Sequence, residues 1–78
     1  MKAFAHHTSL KHNYYTSVRD ELIKRFVSED WFGLGCLIQN WTRRCDDHMA
    51  ADVLKPMLER AEEQFQLARN GEPFQFEG

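Results

Sequence analysis

Three apolar stripes at helical spacing predict an all-α fold for this chain, a small three-helix bundle. Two further observations agree. Glycine and proline number only 4 and 2 in 78 residues, too few for the tight turns of a small β-sandwich or barrel. Strong helix formers crowd the second half, as in LERAEEQFQLAR over residues 58–69. A hydrophobic fraction of 42% places the chain among folded domains rather than disordered ones. The whole of 1–78 reads as a single helical domain with one small core.

The first helix is expected over about residues 9–27. Tyr14, Val18, Leu22 and Phe26 recur every four residues and form one stripe, with Tyr15 beside them. Ile23 and Val27 fall on another face, so this helix is expected to bury two sides.

The second helix is expected over about residues 29–45, with Ser28 as N-cap and Glu29 and Asp30 in the first turn, where the helix dipole favours anions. It contains WFGLGCLIQNW, residues 31–41, the most apolar run and the site of both tryptophans. Trp31, Leu34, Ile38, Trp41 and Cys45 follow one another at three- and four-residue steps, and with Leu37 they occupy an arc of about 120°. Arg43 and Arg44 suit the last turn. Gly33 and Gly35 lie off the centre of this face and weaken the helix by about 1 kcal/mol each relative to alanine. Their small size suits the close approach of another helix or a ligand. Phe32 and Cys36 lie on the opposite side, in a stripe with Gln39 and Arg43. The plainer expectation for Phe32 is cover by a chain terminus, since Phe4, Phe74 and Phe76 are at hand. The functional expectation is an exposed docking patch.

The third helix is expected over about residues 47–69, on a stripe of Leu54, Leu58, Ala61, Phe65 and Ala68, with Met57 alongside. Asp46 and Asp47 serve as its expected caps. Pro56 removes a backbone donor and crowds the Asp52 carbonyl, so the helix is expected to kink there or to split into two. Asn70-Gly71 is a stop signal, with Pro73 beyond it. The tail, residues 72–78, alternates apolar and polar residues and is too short for an independent strand. Both packing on the bundle and a flexible hook for a partner fit it.

The longest uncharged run, Trp31 to Thr42, is twelve residues, against about twenty needed to span a bilayer. MKAFAHHTSLKH has no apolar core of a signal peptide. Cys36 and Cys45 point in nearly opposite directions on one helix and cannot pair, and two free thiols suit a reducing compartment. A cytoplasmic protein is therefore expected. The net charge of −2 hides an asymmetry: residues 1–27 carry +3, residues 28–54 carry −3 and residues 55–78 carry −2.

Cys45, Asp46, Asp47 and His48, with His6, His7 and His12, are zinc-ligand residue types, but no CxxC or HxxxH spacing organises them, so no metal site is expected. A Cys45–His48 nucleophile pair lacks a visible cleft and oxyanion site. Glu59, Glu62 and Glu63 read as a solvated face. No phosphate-binding loop or hydrolase motif is present, and neither catalysis nor a cofactor is expected.

Two binding modes remain. Lys11, Arg19, Lys24 and Arg25, with Tyr14 and Tyr15 among them, suit phosphate contact and base stacking. Against that reading, Asp20 and Glu21 interrupt the basic run and the chain is acidic overall. Protein–protein contact meets fewer conflicts, because the chain carries more large apolar side chains than one small core takes up. The expected contact residues are Phe32, Gln39 and Arg43, with Tyr15 and Arg19. Self-association into a dimer is the plainer form of this expectation. The sharper form is an inhibitor or adaptor that occupies a partner's surface, as small helical phage proteins do against host machinery.

Overall fold

The computed structural model describes the backbone of residues 2–76 and the side chains of residues 10–76. Three helices follow one another: α1 (Lys2–Val27), α2 (Trp31–Cys45) and α3 (Ala51–Arg69). Among the described residues there is no strand. Each helix contributes one stripe to a shared core, with Val18, Leu22 and Phe26 from α1, Leu34, Ile38 and Cys45 from α2, and Leu54, Leu58, Ala61 and Phe65 among those from α3. The stripes expected from spacing are the ones that meet. Tyr14, Trp31, Leu37 and Trp41 pack half-buried around them. α2 and α3 share the most extensive contact, and α1 lies against both.

α1 begins earlier than expected and, at 26 residues, is about 39 Å long, against about 22 Å for the 15 residues of α2. Only one of its two apolar faces is buried. Ile23 is half-buried and Val27 is 78% exposed, because neither α2 nor α3 reaches that side of the helix end.

The corner between α1 and α2 corrects the expected cap. Ser28 does not start α2. Its hydroxyl donates to the Lys24 carbonyl at 2.8 Å, one turn back on α1. Glu29 adopts φ +57°, and the N–H groups of Glu29 and Asp30 then close α1 onto the carbonyls of Phe26 and Arg25 at 3.2 and 3.0 Å. This is a Schellman turn with a non-glycine residue in its left-handed position. Asp30 therefore becomes the N-cap of α2, and its Oδ1 accepts the Gly33 N–H at 3.0 Å. Its Oδ2 accepts from Arg25 Nη1 at 2.7 Å, so one carboxylate ties the end of α1 to the start of α2. A Cβ on Gly33 would collide with that same Asp30 carboxylate.

α3 begins at Ala51, four residues later than expected, and runs unbroken through Pro56 to Arg69, so the split into two helices does not occur. Pro56 and Asp52 lie on its exposed side, where water can satisfy the carbonyl that proline leaves without a donor. Asp46 and Asp47 are not its caps. The N-cap is Ala50, fully buried and without a side-chain cap. The turn over residues 46–50 is held by His48 instead. Its Nδ1 accepts the Ala50 N–H at 3.1 Å, and its ring meets Tyr14 and Trp41 edge-on at 4.5 and 5.4 Å. Asp46 reaches Lys55 Nζ at 2.9 Å, and Asp47 is exposed.

The expected stop at Asn70-Gly71 is present. Gly71 has φ +78°, and the N–H groups of Gly71 and Glu72 bond the carbonyls of Ala68 and Leu67 at 3.1 and 2.9 Å. The tail then folds back. The Gln75 N–H donates to Gln64 Oε1 at 2.6 Å, and the rings of Phe74 and Phe76 lie 5.3 and 5.1 Å from Phe26. Phe74 also meets Trp31 at 5.8 Å.

Candidate functional site

The tail phenylalanines do not cover Phe32. They spend their area on Phe26 and Trp31, and Phe32 stays 85% exposed, the most exposed of the large apolar residues among those described. Phe4 falls outside the described side chains. Phe32 stands at one end of an open hollow of about 500 Å³ between α2 and α3. Cys36 and Gln39 continue the α2 wall, and Glu62, Gln66 and Arg69 form the α3 wall. A second hollow of about 490 Å³ shares Glu62 and extends the seam toward Thr42, Glu59 and the Asp46–Lys55 pair. No α1 residue among those described lines either one.

Gly35 sets the depth of the seam. A Cβ there would lie 3.2 Å from the Phe65 ring, so the missing side chain is what lets that ring come up against α2. Arg69 stacks its guanidinium over the same ring at 5.6 Å. Arg43 lies four residues beyond Gln39 on the exposed stripe of α2. Phe32, Gln39 and Arg43 thus share one face, as their spacing implies.

Tyr15 and Arg19 lie elsewhere, on α1. The Arg19 guanidinium carbon sits 6.0 Å from the centre of the Tyr15 ring, and Arg19 also reaches Asp20 at 3.6 Å. Other members of the basic set are engaged as well. Lys11 Nζ bonds Asp52 at 2.9 Å and links α1 to α3, and its hydrogen bond holds the Asp52 carboxyl below the ordinary aspartate range. Arg25 pairs with Asp30 and, at 3.4 Å, with Glu21. Lys24 is exposed.

The described side chains considered for chemistry have other engagements. Cys45 is 1% exposed, and burial raises its thiol above the ordinary range, which opposes formation of a thiolate. The His48 ring is occupied by Tyr14, Trp41 and the Ala50 N–H. His12 lies 3.3 Å from the Thr16 hydroxyl on its own helix. His6 and His7 lie outside the described side chains. Among the described residues, no three His, Cys, Asp or Glu side chains converge on a point that could hold a metal ion. Nor is any helix among them long and apolar enough to cross a membrane.

The α3 wall of the seam escapes a reading of each helix by itself. Glu62, Gln66 and Arg69 look like a solvated face until α3 is set beside α2. The signal for the seam is the conjunction of Gly35 on one helix with Phe65 on the other, which requires the register between them. Comparison with protein-family models, curated proteins and solved structures returns no match.

Proposed function

We propose that this protein works by protein–protein contact, without chemistry of its own, as a small inhibitor or adaptor that occupies a partner's surface. The observation that carries the reading is Phe32, 85% exposed beside an open seam while two other phenylalanines are committed to the core side. A large aromatic residue next to a hollow is the usual anchor of an interface. Phe32, Gln39 and Arg43 form the principal contact face, with Cys36 within it. Tyr15 and Arg19 form a separate contact point on α1. Two free thiols, one of them exposed, fit a reducing compartment such as the cytoplasm.

The alternative, a nucleic-acid-binding regulator, draws on Lys11, Arg19, Lys24 and Arg25. Three of these four cations already hold carboxylates, which weakens their call on phosphate. The test is affinity capture from the native lysate after nuclease treatment, with wild-type and Phe32→Ala baits in parallel. The proposal expects one stoichiometric protein that survives moderate salt with the wild type and is lost with Phe32→Ala. Recovery of nucleic acid, or of partners that vanish on nuclease treatment, would transfer the function to the basic residues of α1.

A further inference from the structure

We propose that Phe26, Trp31 and Gln64 form a peptide-binding groove, which residues 72–76 fill as a displaceable internal ligand and which takes from a partner an extended segment with two phenylalanines two residues apart. The inference goes beyond the Phe32 face and does not depend on it.

The helices complete their core without the tail. Among the described residues, the buried apolar side chains all lie between Val18 and Phe65, on the three helices and the turn before α3. Phe74 and Phe76 pack half-buried against that core from outside it. The tail therefore sits on the bundle as a ligand sits on a receptor, joined to it through the left-handed turn at Gly71.

The groove reads a defined pattern. In an extended chain, residues i and i+2 face the same side. Phe74 and Phe76 accordingly both meet Phe26, at 5.3 and 5.1 Å between ring centres, while Gln75 between them is exposed. Trp31 meets Phe74 edge-on at 5.8 Å, which distinguishes the first aromatic position from the second. Between the two, Gln64 Oε1 accepts the Gln75 N–H at 2.6 Å, a bond to backbone that any residue but proline offers. Pro73 has no N–H to satisfy, and its fixed φ suits an extended entry. A helical ligand would turn one of the two rings away from Phe26, because residues i and i+2 lie about 200° apart on a helix.

The hold on the tail is slight. Beyond Glu72, the Gln75–Gln64 bond is the one hydrogen bond between tail and bundle among the described residues. Both rings keep part of their surface in water. The tail competes chiefly by its tether, which gives it an effective concentration on the order of millimolar. A partner segment that matches the two rings and adds contacts of its own overcomes that advantage and releases the tail. A second copy's tail makes only the same contacts and forgoes the tether, so exchange between copies is the weaker occupant.

The test uses the full chain carrying Phe74→Ala and Phe76→Ala, which empties the groove, and a synthetic peptide with the sequence of residues 72–78, EPFQFEG. The peptide is titrated into the isotope-labelled variant and followed by amide NMR and thermal unfolding. The expected result is saturable shifts at Trp31 and Gln64, a Kd on the order of 10–100 µM and a raised thermal midpoint. The wild type, whose own tail must first leave, should bind the same peptide about tenfold more weakly or worse. A peptide with both phenylalanines replaced by alanine should not bind. Should the double variant fail to fold, Phe76→Ala alone keeps Phe74 on Trp31 and serves for the same titration. The proposal is overturned by the absence of saturable binding, by equal binding of the alanine peptide, by equal affinity of wild type and variant, or by shifts confined to the seam beside Phe32. A wild-type dimer in sedimentation that the peptide dissociates also overturns it, in favour of tail exchange between copies.

Discussion

Trp31 and Phe32 are neighbours on α2 and meet opposite fates. Trp31 is half-buried, held by Phe26 at 6.2 Å and by Phe74 at 5.8 Å. Phe32, one residue and about 100° further round the helix, keeps 85% of its surface in water. The tail decides the difference, and α3 decides the tail. The Gln75–Gln64 bond steers residues 72–76 down one side of α3. Gln64 and Glu62 are two residues apart, about 200° around the helix, so the tail and the open seam lie on opposite sides of it. The chain uses its last aromatic residues to finish one seam of the bundle and leaves the other bare. Apolar residues outside a main stripe are not equivalent, and where the chain returns sorts them into core and surface.

That contrast can be broken most strongly from the core side. Phe26 is 4% exposed and lies beneath both tail rings. Phe26→Ala should lose about 3–4 kcal/mol in urea unfolding, a large share of the stability of so small a domain. A loss below about 1 kcal/mol would show that the tail and Trp31 are not assembled around it. Phe74→Ala with Phe76→Ala should cost about 2–3 kcal/mol, less than two full burials because both rings are half-exposed. If the double variant were as stable as the wild type, the tail would not be part of the bundle and Phe26 would hold Trp31 without it.

The helix ends sharpen the comparison in the other direction. Gly71 and Glu29 occupy equivalent left-handed positions in two Schellman turns. Gly71 suits that geometry, whereas Glu29 bears a steric penalty of about 1 kcal/mol. Glu29→Gly should therefore stabilise the protein by about 0.5–1 kcal/mol, read as a higher thermal midpoint. A lower midpoint would place Glu29 in an ordinary conformation and Asp30 outside its cap.

A smaller effect is expected from acid. Lys11 holds the Asp52 carboxyl below its ordinary range, so the pair contributes in full above that range. The contribution fades as the pH falls through the lowered folded value. In Lys11→Met the Asp52 titration, followed by carboxyl NMR, should move up to the ordinary aspartate range. An unmoved titration would remove this tie between α1 and α3.

The architecture was legible because Val18–Leu22–Phe26 and Leu34–Ile38–Cys45 are stripes set by covalent spacing, which the core simply collects. The corners were less so. Ser28, Asp30, Asp46 and Asp47 are all residue types that cap helices, and the choice among them depends on where the neighbouring helix ends. A left-handed glutamate at position 29 leaves no mark in the sequence, and His48 acts as a turn acceptor only once Tyr14 and Trp41 flank it. Of the contact face, the stripe Phe32–Gln39–Arg43 was visible as periodicity. Its opposite wall, Glu62 and Arg69, was not, because that wall is a property of two helices in register.

The most direct test is the smallest expected change, the urea unfolding free energy of Phe32→Ala. The account predicts a value within about 0.5 kcal/mol of the wild type, as for other exposed positions. A loss of about 3 kcal/mol would mean that Phe32 belongs to the core, and the contact face proposed here would not exist.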